Sequence, residues 1–162
     1  MVPKPRWREL LVAGLLACGP PVVPPTPAPA RDPLAQTWTI RDHVISTISA
    51  LTDDDAAVFQ GRTIEIDDSG YTTPWHGACE EAVRQRRDRI LADVVSELDI
   101  AASGRALART HGLLDELVEH RLTCSGTKTA PPLTIYLSND VSIGRAMTCF
   151  GGVCYFLTGG RQ

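Results

Sequence analysis

The sequence predicts an α+β domain in which a small antiparallel sheet or partial barrel packs on one or two central helices and carries two disulfides. Three observations lead to this prediction. Short segments that alternate apolar and polar residues, as half-buried strands do, lie on both sides of a stretch with helical spacing. Four cysteines remain once a fifth, near the N-terminus, is set aside. An even number of cysteines in a small exported domain indicates disulfides.

The N-terminus has the pattern of an export signal. A basic stretch within residues 4–8 precedes a short apolar run at residues 10–17. This run is too short for the roughly 20 residues of a membrane-spanning helix. It ends Leu15-Leu16-Ala17-Cys18, which resembles the lipobox of bacterial lipoproteins. The resemblance implies that residues 1–17 are a signal peptide and that Cys18 is lipidated, linking the protein to the membrane.

Two other interpretations of this segment stay open. Cleavage after Ala28-Pro29-Ala30 would release a soluble secreted protein, and an accidental match would leave a cytosolic one. Under the lipobox interpretation, Gly19 in place of aspartate resembles the pattern that directs lipoproteins of enteric bacteria to the outer membrane. The expected location is therefore the bacterial cell envelope, on the outer membrane and facing the periplasm.

Residues 18–33 are expected to form a tether between the lipid and one globular domain, residues 34–162. Residues 20–33 contain seven prolines, which favour an extended, semi-rigid spacer of roughly 40 Å at about 3.1 Å per residue. Removal of residues 1–17 takes away three basic residues and one acidic residue, which changes the net charge from −3 to −5. An acidic domain outside the cytoplasm argues against nucleic acid as a partner.

The first part of the domain combines apolar residues from Trp38 onward with a short helix and two strands. Thr52 is expected to cap a helix that continues through Phe59. Residues 62–67 alternate as a half-buried strand, and a turn at residues 68–70 leads into a return strand from Tyr71.

Residues 80–98 are expected to form the main amphipathic helix. Its apolar residues recur at helical spacing, and its other face carries four arginines. These are Arg84, Arg86, Arg87 and Arg89. The pattern indicates either a solvated face with intrahelical ion pairs or a patch that contacts an anionic polymer or lipid headgroups.

The remaining elements are one more helix and four strands. The helix is expected at residues 105–117, with Gly112 weakening its middle. Strands are predicted at residues 118–124, 133–137, 145–150 and 153–157.

The four cysteines after Cys18 allow three disulfide connectivities. If Gly151-Gly152 forms a primed hairpin turn, Cys149 faces Cys154 in a non-hydrogen-bonded pair with Cα atoms about 4.5 Å apart. A disulfide accepts that separation. The geometry thus predicts Cys149–Cys154, and Cys79–Cys124 follows by elimination.

Two other patterns in the sequence are weak evidence for a metal site or a catalytic site. His76 and Cys79 could join His120 and Cys124 in a zinc site, but the chain lacks the matching pair pattern, so neither a metal nor another cofactor is expected. Residues 125–128 match the Ser-x-x-Lys motif of penicillin-binding enzymes. The prolines that follow place this segment in a loop, and a catalytic role is not expected.

The order of motifs from Trp38 to Leu157 resembles a group of small uncharacterised bacterial lipoproteins, which implies no assigned activity. Ser69-Gly70-Tyr71 resembles part of the inhibitory loop of periplasmic lysozyme inhibitors, although central helices do not suit their all-strand barrel. The expected function is a non-catalytic module that binds an envelope protein or glycan. A lysozyme inhibitor is the specific alternative, and a small envelope enzyme is the outside alternative.

Overall fold

The computed structural model describes residues 32–100, 102–125, 130–140 and 144–160. The predicted signal peptide, the lipidation residue Cys18 and most of the tether lie outside the described residues. Within the described part of the chain, no helix is both long and apolar enough to cross a membrane.

In the described part of the chain, nine antiparallel strands form one sheet in the order β4-β3-β2-β1-β9-β8-β7-β6-β5. The strands are β1 (Thr37–Ile45), β2 (Thr63–Ile66), β3 (Tyr71–Thr73), β4 (Gly77–Cys79), β5 (Ala82–Ile90), β6 (Glu116–Cys124), β7 (Leu133–Ser138), β8 (Arg145–Phe150) and β9 (Val153–Gly159). The sheet curls into a nearly closed barrel. Its two edge strands, β4 and β5, are separated in the chain by only two residues.

The two faces of the sheet bury different apolar clusters. One cluster is built around Trp38, Ile64, Leu122 and Tyr155. The other includes Phe156 and Met147 and packs against the helices α2 (Leu91–Glu97) and α3 (Ala102–Thr110). Alternation along β9 puts Tyr155 on one face and Phe156 on the other, so this strand is buried on both sides.

The antiparallel sheet and the partial barrel confirm the predicted architecture, but the helical contribution is smaller than predicted. The three helices among the described residues are short, and α2 and α3 cover one face of the sheet. A third helix, α1 (Asp53–Ala57), begins at Thr52, whose side chain accepts a hydrogen bond from the backbone N–H of Asp55. The predicted cap is therefore present, and the helix ends two residues earlier than expected.

The predicted helix at residues 80–98 is wrong over its first half. Residues 82–90 form the edge strand β5, and only Leu91–Glu97 is helical. The apolar residues assigned to the helix divide accordingly: Leu91 and Val94 are buried, whereas Val83 is 56% exposed on the strand. Pairing with β6 along nine residues overrides the local pattern. A charged edge strand is also a common defence against aggregation.

The second predicted helix is displaced. Helix α3 ends at Thr110, and residues 116 and 117 already belong to β6. Gly112 has φ of +80°, a left-handed conformation that glycine adopts without strain and that ends the helix. The pattern at residues 105–117 therefore combined the end of a helix with the start of a strand.

Both predicted disulfides are present. Cys149 pairs with Cys154 across the β8–β9 hairpin, with Cα atoms 4.0 Å apart. Gly151 and Gly152 have φ of +61° and +80°, as a primed turn requires. Cys79 on β4 pairs with Cys124 on β6, with Cα atoms 5.7 Å apart. This second bond links one edge of the sheet to the strand beside the other edge, and so helps to close the barrel.

Candidate functional site

An acidic groove is the candidate functional site. It has a volume of about 860 Å³ and runs beside β2, β3 and β4, along the segment where β1 begins. The charged residues that line it are Glu65, Asp67 and Glu80, and its other described lining residues are uncharged. Three carboxylates in one groove create a negative potential that favours a cationic ligand.

The β2–β3 turn forms one wall of this groove, and Asp67 holds the turn in place. One of its carboxylate oxygens accepts hydrogen bonds from the Ser69 hydroxyl at 2.8 Å and from the backbone N–H groups of Ser69 and Gly70, each at 2.7 Å. These bonds keep the pKa of Asp67 below its usual value, and the bond from the Ser69 hydroxyl has the largest effect. The turn is therefore held by an ionised carboxylate, as in other aspartate-led turns.

Tyr71 follows the turn and is directed into the protein. Its side chain lies in the core, the residue is 3% exposed, and its hydroxyl donates a hydrogen bond to the backbone oxygen of Pro131 at 2.9 Å. Burial raises the pKa of the Tyr71 hydroxyl. In the Ser69-Gly70-Tyr71 segment, the serine lines the groove while the tyrosine supports its wall.

Arg84 lies at the edge of this groove. It forms an ion pair with Asp32 and donates to the backbone oxygen of Asp67. These contacts join the first described residue of the chain to both β5 and the β2–β3 turn. We call this set of contacts, formed by Arg84, Asp32 and Asp67, the seam clasp. Because Asp32 offsets the charge of Arg84, the groove and the clasp together remain acidic.

Arg89 also forms ion pairs within the domain. Its side chain is 7% exposed, and its guanidinium contacts Glu97 at 2.6 Å and Glu119 at 3.0 Å. The hydrogen bond from Arg89 keeps the pKa of Glu97 below its usual value. Arg89 therefore fastens α2 to the outer surface of β6.

The four arginines predicted to share one helix face thus lie on a strand and separate into two pairs. Arg84 and Arg89 have structural partners, whereas Arg86 and Arg87 are exposed. Adjacent strand residues point to opposite faces of a sheet, so Arg86 and Arg87 diverge. Arg86 also lies 3.9 Å from Asp88. Of the four arginines, only Arg86 and Arg87 are therefore exposed enough for the predicted contact with an anionic surface. The prediction of intrahelical ion pairs is wrong, because residues 82–90 form a strand.

Among the residues considered for zinc or catalysis, both cysteines and Ser125 have other partners. Cys79 and Cys124 are bonded to each other, and no group of three or more potential metal ligands occurs among the described residues. The Ser125 hydroxyl donates to the backbone oxygen of Glu81. The rest of the Ser-x-x-Lys motif lies outside the described residues.

Two histidine–aspartate pairs were not predicted from the sequence. His43 contacts Asp53 at 3.0 Å, and His111 contacts Asp42 at 2.9 Å. The backbone N–H of His43 also donates to Asp42, and these bonds keep the pKa of Asp42 below its usual value against the opposing effect of burial. Asp42 and His43 follow a bulge in β1. The pairs connect this strand to α1 and to the end of α3.

Glu65 and Glu80 are the groove residues that sequence reasoning missed. Glu65 was expected only as the polar side of a strand, and Glu80 as part of a helix. The two residues come together because β2, β3 and β4 pair as consecutive antiparallel strands, and the sequence alone does not predict this pairing. Comparison with known proteins gives no match to a family model, a curated protein or a solved structure.

Proposed function

We propose that this protein is a non-catalytic, lipid-anchored module of the bacterial envelope that binds a basic protein through its acidic groove. The observation that carries the proposal is the groove itself, in which Glu65, Asp67 and Glu80 are the charged described residues. The two disulfides support a location outside the cytoplasm, because such bonds persist in oxidising compartments. The lipobox motif at Cys18 supports attachment to a membrane.

Inhibition of lysozyme is the specific form of this proposal. Ser69, from the segment that resembles the inhibitory loop, lines the acidic groove, and an acidic groove complements a basic enzyme. Tyr71 would contribute only as a support of the groove wall, because it is buried. The contact with lysozyme would therefore depend on the groove carboxylates and on Ser69.

Neutralising the groove should weaken binding to a basic protein. In the lipid-free mature chain, Glu65→Gln together with Glu80→Gln removes two of the three groove carboxylates and leaves the Asp67 turn intact. We expect affinity for lysozyme, measured by calorimetry at low salt, to fall about tenfold, and the wild-type affinity to fall as salt rises, because exposed charges are screened.

The control carries the same change in charge elsewhere. Asp54→Asn together with Asp88→Asn removes two exposed carboxylates outside the groove and should leave the affinity within about twofold of wild type. Equal loss in both double variants would mean that net charge, not the groove, attracts the partner. A turbidity assay of cell-wall lysis separates inhibition from simple binding, since only an inhibitor slows clearing.

Membrane attachment has its own test. Replacement of Cys18 by serine removes the thiol that would carry the lipid, and the protein should move from the membrane fraction to the soluble fraction. Several acyl chains give stable anchoring where one would be marginal, so the shift should be nearly complete. Ser103→Ala is the control, because it removes an exposed hydroxyl of the domain and should leave the fractionation unchanged. Unchanged fractionation of the Cys18→Ser protein would contradict the anchor.

A further inference from the structure

Strand β5 lies at one end of the sheet, and most of its outer edge is open. It pairs with β6 along nine residues, and no strand of the described chain pairs with its other side. The edge is covered only at its start, where the backbone N–H of Ala82 donates to the backbone oxygen of Ser69 at 2.8 Å. Residues 85–88 are exposed, and a groove of about 650 Å³ borders residues 86–90. We call residues 85–90 the open edge.

The hydrogen bonds at the start of β5 show which backbone groups point outward. The N–H of Ser125 donates to the backbone oxygen of Glu81 at 2.9 Å, so Glu81 bonds toward β6, whereas the N–H of Ala82 points the other way. This direction alternates along an antiparallel strand. The N–H and C=O groups of Arg86 and Asp88 therefore point away from β6. Outward-pointing groups on an edge strand form a template for another strand.

Charged side chains on the open edge restrict which strand can pair with it. The side chains of Arg86 and Asp88 are 68% and 88% exposed, and they share one face because they are two residues apart. Opposite charges directly across a strand pair are stabilising, whereas like charges are destabilising. A wholly acidic strand would oppose Asp88 with a like charge. A strand that carries the same two charges in reverse order complements both, and an antiparallel copy of β5 has that order.

We propose that two copies of this protein associate through their open edges, in an antiparallel pairing centred on Arg87. Arg86 of each copy then lies opposite Asp88 of the other, which gives two opposite-charge pairs. Outward-pointing groups must face each other to bond, so the neighbouring registers are centred on Arg86 or on Asp88. Those registers place two arginines or two aspartates directly opposite each other. In the proposed register the two Arg87 residues meet, and each has Glu119 directly opposite it on β6 of its own chain, which offsets the like charges.

The test measures self-association of the full mature chain with Cys18→Ser by analytical ultracentrifugation over a range of concentrations. This chain should form a reversible dimer. Arg86→Asp or Asp88→Arg places like charges opposite each other twice, and each variant should weaken self-association by about tenfold or more. An equimolar mixture of the two variants restores both opposite-charge pairs, so it should recover the dimer to within about twofold of the parent affinity. Arg105→Asp is the matched control, because it makes the same change in charge at an exposed residue of α3 and should leave the affinity unchanged.

Hydrogen exchange tests whether the contact is made by strand pairing. The backbone amides of Arg86 and Asp88 should exchange more slowly as the protein concentration rises. The amides of Gln85 and Arg87, which bond to β6, should be protected at every concentration.

Three results would overturn the proposal. The first is a chain that stays monomeric up to about 1 mM, which would leave the open edge to a different partner. The second is a dimer that both charge variants leave unchanged, or in which the amides of Arg86 and Asp88 stay unprotected, because the contact would then lie on another surface. The third is a mixture of the two charge variants that fails to recover the dimer, which would exclude the register centred on Arg87.

Discussion

Removal of the Cys79–Cys124 disulfide should destabilise the protein by about 4 kcal/mol, since the bond closes a loop of 45 residues. In the chain-entropy model, a crosslink raises the free energy of the unfolded state by restricting it, and longer loops give larger effects. The Cys149–Cys154 bond spans only five residues and should contribute about 2 kcal/mol. Its partners are already brought together by the Gly151-Gly152 turn.

The measurement compares two double variants by thermal and chemical denaturation without reductant. Cys79→Ala with Cys124→Ala should lower the melting temperature by about 10–20 °C, and Cys149→Ala with Cys154→Ala by roughly half as much. Each variant retains the other disulfide, so the two act as matched controls. A larger loss in the hairpin variant would show that local strand pairing, not loop closure, determines the effect.

Replacement of Trp38 by alanine should cost about 3–5 kcal/mol, the range for large-to-small changes in a packed core. Trp38 is fully buried in the barrel, and its indole N–H donates to the backbone oxygen of Leu34 at 3.1 Å. Leu34 is fully buried too. Loss of the indole therefore opens a cavity and releases the segment through which the chain enters the core.

Two further substitutions separate these contributions. Trp38→Phe keeps most of the packing but leaves the Leu34 oxygen without its donor, and should cost about 1–3 kcal/mol. Val58→Ala, at a residue 60% exposed, should change stability by no more than about 0.5 kcal/mol. Hydrogen exchange at residues 34–36 should accelerate most in Trp38→Ala. If the two Trp38 variants were equally stable, the hydrogen bond rather than the packing would dominate.

The parts of the fold that the sequence predicts are those with a strong local signal. The β8–β9 hairpin follows from two adjacent glycines between apolar runs, and its register placed Cys149 opposite Cys154. The strand at Thr63–Ile66 follows from clean alternation, with Ile64 and Ile66 buried. In each case a short segment determines both the conformation and the buried face.

The edge strand β5 shows where such reasoning ends. Arg84, Arg86, Arg87 and Arg89 have no alternation that marks a strand, and helix propensity favours this composition. Their conformation is set by pairing with β6, which lies 26 residues further along the chain. The acidic groove was missed for the same reason, because it depends on how three short strands meet the start of β1.

The seam clasp has a mechanical consequence. Asp32, at the N-terminal limit of the described chain, is held by Arg84 from the far edge of the sheet, and the next anchoring points, Leu34 and Trp38, lie in the core. Beyond them the chain continues into β1, which has a hydrogen-bonded neighbour on each side. A tensile load on the chain at Asp32 would thus meet the ion pair with Arg84 first, then the buried Leu34, and only then the hydrogen bonds of β1. The Arg84–Asp32 pair therefore shields the sheet from small forces on this end of the domain.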